Sequence, residues 1–321
     1  MDLRFVTLTE IDLDDGCFEI RRFTASPRLQ ESLGRFGILD PPWLRKRSGG
    51  YMVVDGFQRL RWAKENGERG AVCGIFPEDC QACEIWMRRI EKKIFEREID
   101  LAEKAQIMCT LVELFPPEEI PRFFLTGLNV ANRPDVLRKW ALLSAGGSNI
   151  LEILASGAVA ERAALEVAGW DKRSRDSVLP VLQALRCSAS IQVEIVENIN
   201  EIAVREGKAG ADIVESPRAR EILGSKELNR RQKTQALREL LGELRRPRLS
   251  ARQKRFQRDI EAFGLPPEVR VIPPVFFEGS HWKMELSFTG LEELRKILDY
   301  AGSLAKSDRL DIMFEVREQR R

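Results

Sequence analysis

GILDPPWLRKRSGGYMVVDGFQRLRWAKENG, residues 37–67, decides the fold. Pro42, Trp43 and Leu44 open an extended run, Ser48-Gly49-Gly50 supplies turn residues, and Tyr51-Met52-Val53-Val54 reads as an apolar strand, so the stretch predicts a hairpin. The loop Asp55-Gly56-Phe57-Gln58-Arg59-Leu60-Arg61 then enters a helix with Leu60, Ala63 and Lys64 at helical spacing, ended by Asn66-Gly67. A glycine at a strand end lets the backbone approach a ligand, and helix-start amides beside two guanidinium groups favour a phosphate or carboxylate. Arg59 and Arg61 are therefore candidate anion ligands, although spacing alone equally allows a solvated helix face. A strand at 71–76 and a helix from about Pro77 complete a small α/β module, residues 1–98.

The chain has 321 residues, 43% of them hydrophobic, enough for two or three modules with their own cores. No apolar run approaches the roughly 20 residues that cross a bilayer, and residues 1–15 lack a secretory pattern, so a cytoplasmic protein without a membrane partner is expected. Net charge is only +2 although 32% of residues are charged, so attraction to a polyanion has to come from local clustering. Cys17, Cys73, Cys80, Cys83, Cys109 and Cys187 are scattered and read as reduced thiols. Cys80 and Cys83 form a CxxC, but a structural zinc site wants four thiolate or imidazole ligands and the only histidine is His281; no metal site is expected.

Residues 99–224 have helical periodicity throughout. Leu101, Ala105, Met108, Leu111, Val112 and Phe115 form one stripe, ended by Pro116-Pro117; Val136, Leu137, Trp140 and Leu143 form another, begun by Pro134. Between them, residues 117–143 have the outline of a helix-turn-helix, in which Asn132, Arg133, Asp135, Arg138 and Lys139 would face DNA. Asp135 would repel phosphate, and two helices joined by a glycine turn also serve as a plain packing unit. Helices at 150–156, 160–168, 178–185 and 191–206 extend the bundle, and none has a catalytic constellation.

From 225 to 258 the balance changes. Arg230, Arg231, Lys233, Arg238, Arg245, Arg246, Arg248, Arg252, Lys254, Arg255 and Arg258 stand against Glu239 and Glu243 within residues 229–258. Such a linking segment can neutralise phosphates and release counterions, which points to DNA; the alternative is the solvated face of a helix. Residues 259–321 change period again: Val269, Val271 and Ile272 make a strand, and Trp282, Met284, Leu286 and Phe288 alternate with polar residues. Thr289 with Glu292 suggests a capping box for a helix with Leu291, Leu294, Ile297, Leu298 and Ala301 on one face. Two strands and a helix bury little alone, so homodimerisation through Trp282, Met284, Leu286, Phe288, Leu294 and Leu298 is expected. The fold class is a multidomain α+β chain: small α/β module, all-helical middle, strand-strand-helix end.

With these residues in hand, the chain resembles the ParB family of chromosome- and plasmid-partitioning proteins. Residues 29–46 and 49–67 look like that family's G-L-x-x-P box and Gly-Glu-Arg-Arg-x-Arg box, in order and at the right separation. Residues 137–143 and 150–170 resemble its helical pattern, and residues 268–301 its dimerisation module. The resemblance implies a CTP-binding clamp, a helical part that reads a centromere-like site on the nucleoid DNA, a C-terminal dimer and a partition ATPase as partner. Gly37 and Pro41 match the first box, and Gly56, Arg59 and Arg61 the second, with Phe57 and Gln58 where the family has Glu and Arg. The third box, Glu-Asn-x-x-Arg, falls in residues 90–105, where Lys92, Lys93 and Glu96 stand. An ammonium cannot coordinate Mg²⁺, so CTP hydrolysis is expected to be lost, while lysines could neutralise a bound phosphate directly. An enzyme on the same scaffold is the alternative. Sulfiredoxin-like chemistry would want a Cys where Phe57 stands, and a small-molecule kinase would need a base, for which Asp55 is the candidate. A protein-partner module is a third.

Overall fold

The computed structural model describes residues 1–20, 27–96, 99–278 and 281–305. The module boundary expected at residue 98 and the last part of the expected dimerisation module, 306–321, lie outside them.

The hairpin forms as read. β3 (Trp43–Arg47) and β4 (Gly50–Asp55) pair antiparallel, Leu44 opposite Val53 and Lys46 opposite Tyr51. Gly50 has its φ at +153, and a side chain there would strike the Glu10 carbonyl, so the turn has to be glycine. Around the hairpin lie β1 (Asp2–Thr7), β2 (Ile11–Asp12) and β5 (Gly70–Phe76), giving a mixed sheet of order β1-β5-β3-β4-β2. β1 is antiparallel to β5 and β2 parallel to β4, two strands the sequence reading missed. α1 (Pro27–Phe36), also unforeseen, buries only Leu33. Val6, Phe18, Leu44, Val53, Val54, Leu60, Phe76 and Ile85 build the core with α2 (Phe57–Glu65) and α3 (Ala82–Glu96).

α3 belongs to two cores. Ile85 lies in the sheet core and Ile90 in the helical one. The helical core is built by α4 (Leu101–Leu114), α5 (Arg122–Gly127), α6 (Pro134–Ser144), α7 (Ser148–Ala155), α8 (Glu161–Ala168), α9 (Lys172–Leu185), α10 (Ala189–Glu206), α11 (Gly210–Val214), α12 (Pro217–Gly224) and α13 (Arg230–Arg245). Trp140, Leu137 and Leu143 of α6 are buried against Met108 and Leu111 of α4, the two predicted stripes meeting face to face.

The stretch read as a basic linking segment is two helices. In α13, Leu237, Leu240 and Leu241 at helical spacing enter the helical core, and Arg205 of α10 donates to the carbonyl of Leu244 at 2.5 Å and to that of Arg245, holding the C-terminal end of α13. Pro247 then starts α14 (Pro247–Phe263), in which no residue is fully buried. α14 is tied to the chain's end by Phe256, whose ring lies 5.6 Å from Phe277 and 5.7 Å from Trp282. There β6 (Val269–Ile272) pairs antiparallel with β7 (Lys283–Leu286), Val269 opposite Leu286 and Val271 opposite Met284, ahead of α15 (Leu291–Ala305). The capping partner of Thr289 is Glu293, at 2.6 Å from both its N–H and its hydroxyl, not Glu292 as the sequence suggested. α15 starts at Leu291, so its third residue is Glu293. No helix among the described residues is long and apolar enough to cross a membrane.

Candidate anion site and basic surface

β4 ends on Asp55, a buried carboxylate, and the chain then turns at Gly56 with φ +87. A Cβ at Gly56 would lie 2.9 Å from Pro42 Cβ, so the glycine is what allows the 37–42 loop to seat on the start of α2. The two stretches matched to the first and second boxes are thereby brought together. Arg59, one turn into α2, reaches back to Asp55 Oδ2 at 3.2 Å and also donates to the carboxylate and carbonyl of Asp40 in that loop.

α3 supplies the opposite wall. Arg89 Nη1 bonds Asp55 Oδ1 at 2.5 Å while its Nε donates to the Phe18 carbonyl at 3.1 Å. Lys92 Nζ lies 2.9 Å from Asp55 Oδ2, 3.0 Å from Asp40 Oδ2 and 4.5 Å from the centre of the Trp43 ring. Among the described residues, three cations thus face two carboxylates. Burial pushes the Asp55 carboxyl up, but Arg89, Arg59 and Lys92 outweigh it and hold it well below the usual carboxylate range. Burial likewise works against the Lys92 ammonium, and Asp55 and Asp40 more than offset that, raising its pKa. Asp55 is therefore ionised at neutral pH, engaged by all three cations, and a poor general base.

The other expected anion residues are distributed differently. Arg61 forms a bidentate pair with Glu19, at 2.7 and 3.1 Å, and stacks over Phe57. Lys93 points to the helical core, where its Nζ bonds Glu103 Oε1 at 2.9 Å in a buried pair. Gly37, with φ +68, starts the 37–42 loop, Pro41 lies within it, and Gln58 is half-buried on the first turn of α2. Glu96 closes α3. So Gly56, Arg59 and Lys92 converge, while Arg61 and Lys93 serve other contacts. Arg89 and Asp40 were missed. Ile85, Arg89 and Lys92 stand at i, i+4 and i+7, one face of α3, and that spacing was the available signal. Among the described residues no group of three potential metal ligands occurs.

The candidate DNA-facing residues of the middle module lie around the start of α6. Asn132 and Arg138 are exposed; Arg133 pairs with Asp135 at 2.7 Å and Lys139 with Glu166 at 3.5 Å. The basic stretch is similarly divided. Arg238 pairs with Glu194 at 2.8 Å, Lys254 with Glu243 at 2.9 Å, and Arg245 with Glu201 at 2.6 Å and with Asn198 Oδ1 at 3.1 Å. Arg230, Arg231, Arg246, Arg248 and Arg258 are exposed and, among the described residues, have no carboxylate within 4.0 Å.

No family model matches the chain, and no curated protein matches it. Among solved structures, the C-terminally truncated chromosome-partitioning protein ParB from Caulobacter crescentus complexed with CTP-gamma-S is 17% identical over 57% of this chain and 99% of that one, with a TM-score of 0.25. A second structure of that protein, complexed to the centromeric parS site, is 16% identical over 60% and 98%, with a TM-score of 0.36. Scores at this level assign neither fold nor ligand to the chain.

Proposed function

We propose that the protein is a dimeric DNA-binding protein of the partition type, which grips the phosphate backbone through the start of α13 and through α14. The observation that supports this most is the exposure of α14. It buries no residue completely, and Arg248 and Arg258 on it, Arg246 just before it, and Arg230 and Arg231 at the start of α13 are exposed and free of carboxylates among the described residues. Cations left in solvent, beside others already neutralised within the fold, suit a polyanion whose binding releases counterions.

The sheet module supplies an oxyanion site between Arg59 and Lys92, with the phosphates of CTP as the candidate ligand. Lys92 stands where a metal-binding box is expected, so the site suits binding without Mg²⁺-assisted hydrolysis. A kinase reading loses its base, since Asp55 is held ionised by three cations. Dimerisation is assigned to the terminal module, where Met284, Phe288, Leu291 and Leu298 present apolar surface to solvent. Fluorescence anisotropy of mixed genomic fragments over a salt series, with and without CTP, tests the proposal; salt-sensitive binding is expected, and its absence overturns the DNA reading.

A further inference from the structure

We propose that Asp40 is a built-in occupant of the Arg59–Lys92 site, and that an incoming phosphoryl group displaces it and frees the 39–41 segment. The inference rests on the anion reading above and adds how that site is regulated.

The two carboxylates of the cluster are held very differently. Asp55 is fixed by its strand, opposite Trp43 in the β3–β4 ladder, and is covered by three cations. Asp40 belongs to an irregular loop, and its side chain is 52% exposed, whereas those of its partners Arg59 and Lys92 are 14% and 13% exposed. Among the described residues Asp40 has no other side-chain partner. It therefore lies over two nearly buried cations at the point where solvent meets the cluster.

The loop is also anchored so that only its middle can swing. Gly37 N–H donates to the Leu33 carbonyl at 2.9 Å, keeping the near end on α1. Pro42 is buried against Gly56, and its carbonyl accepts from Gly74 N–H at 2.8 Å, keeping the far end on the sheet. Between these anchors, Ile38 packs against the sheet core and stays, whereas Leu39 is already 71% exposed, so a swing confined to residues 39–41 loses little apolar burial. Gly37, with φ +68, tolerates backbone changes that a branched residue would resist.

Charge supplies the driving force. Among the described residues, two carboxylates face Arg59, Arg89 and Lys92 with Asp40 in place, and one with Asp40 released. A phosphoryl group brings more charge and more acceptor oxygens than one carboxylate, and can replace both bonds of the Asp40 carboxylate and the one that its carbonyl accepts from Arg59. Asp40 thus lowers the apparent affinity of the site by the fraction of molecules in which it is bound there.

The test is calorimetry with sodium tripolyphosphate and, separately, with CTP, on the full chain, on Asp40→Asn and on Arg59→Ala. Asp40→Asn is expected to bind roughly tenfold more tightly than the parent, and Arg59→Ala to lose binding. Tighter binding of CTP than of tripolyphosphate, with the same gain in Asp40→Asn, identifies the ligand as a nucleotide; equal affinities identify a polyphosphate group alone. Unchanged or weaker binding by Asp40→Asn, with binding still lost in Arg59→Ala, overturns the role of Asp40 and leaves the anion site standing. No binding by parent or by Asp40→Asn overturns both. Hydrogen exchange on the parent protein needs no substitution: tripolyphosphate is expected to raise exchange at the amides of Leu39 and Asp40, and protection there would overturn the displacement.

Discussion

Lys92 and Lys93, adjacent on α3, end on carboxylates of different cores: the first meets Asp55 of the sheet module at 2.9 Å, the second Glu103 of the helical module at 2.9 Å. One helix thus separates the proposed oxyanion-binding role from a structural one within a single residue step, because successive side chains on a helix diverge by about 100°.

That separation is measurable by substitution. Glu103 is only 1% exposed, so Lys93→Ala leaves a buried carboxylate without this partner and is expected to lower stability by about 3 kcal/mol. Lys92→Ala, whose partner Asp55 keeps Arg59 and Arg89, is expected to cost less and to abolish tripolyphosphate binding. Urea unfolding of both variants, beside calorimetry, distinguishes the two; equal losses of stability and binding would show the lysines to be equivalent.

Acid provides a second probe. The folded-state pKa of Asp55 is depressed, so the stability that it contributes is fully present above the unfolded-state value of about 3.9 and is lost as pH falls below it. Unfolding free energy is expected to be insensitive to this group between about pH 5 and 8 and to decline from about pH 4 downward. Asp55→Asn is expected to be less stable at pH 7 by about 3 kcal/mol and to show a shallower acid decline. An Asp55→Asn protein with the parent's acid profile would place the acid-sensitive group elsewhere.

On the basic surface, Arg246→Ala with Arg248→Ala should weaken DNA binding and reduce the slope of log affinity against log salt by about 2, one contact for each residue. Arg245→Ala is expected to leave the slope unchanged, since its guanidinium is engaged by Glu201 and Asn198. A slope that falls for Arg245→Ala and holds for the double variant would reverse the assignment.

For the terminal module, Phe288→Asp introduces a charge on an exposed aromatic position whose loss leaves the buried Val269 and Ile297 untouched. Sedimentation at micromolar concentration is expected to show dimers for the parent and monomers for the variant. A persistent dimer would move the interface off this face.

The sequence revealed what local rules govern. The β3–β4 hairpin was legible because an extended run from Pro42 and the continuous apolar run Tyr51–Val54 flank a glycine turn, and the stripes of α4 and α6 because Leu111 and Trp140 recur at helical spacing. β1 escaped because Leu3 and Phe5 face solvent and give no burial pattern, and β2 because two residues form no pattern at all. α13 was hidden by its own charge: Leu237, Leu240 and Leu241 carry the core spacing, yet the surrounding arginines read as a linker. At the site, Arg59 was found through the neighbouring Gly56. The Arg89–Asp55 bond joins residues 34 positions apart, a pairing that only the closed sheet brings about.

Phe256 gives the far end of the molecule a mechanical property. Its ring meets Phe277 and Trp282 on the terminal ribbon, and it stands on the same helix as Arg248 and Arg258. Arg252, one turn before it, lies over the Phe277 ring and donates to the Phe277 carbonyl at 3.4 Å, and Arg246, just ahead of the helix, lies over Phe276, so ribbon and helix are clasped along half the length of α14 and a tilt of one carries the other with it. In the proposed two-fold pair of chains, the angle between two ribbons would set the span between two rows of guanidinium groups, as the hinge of a pair of calipers sets the gap between its jaws.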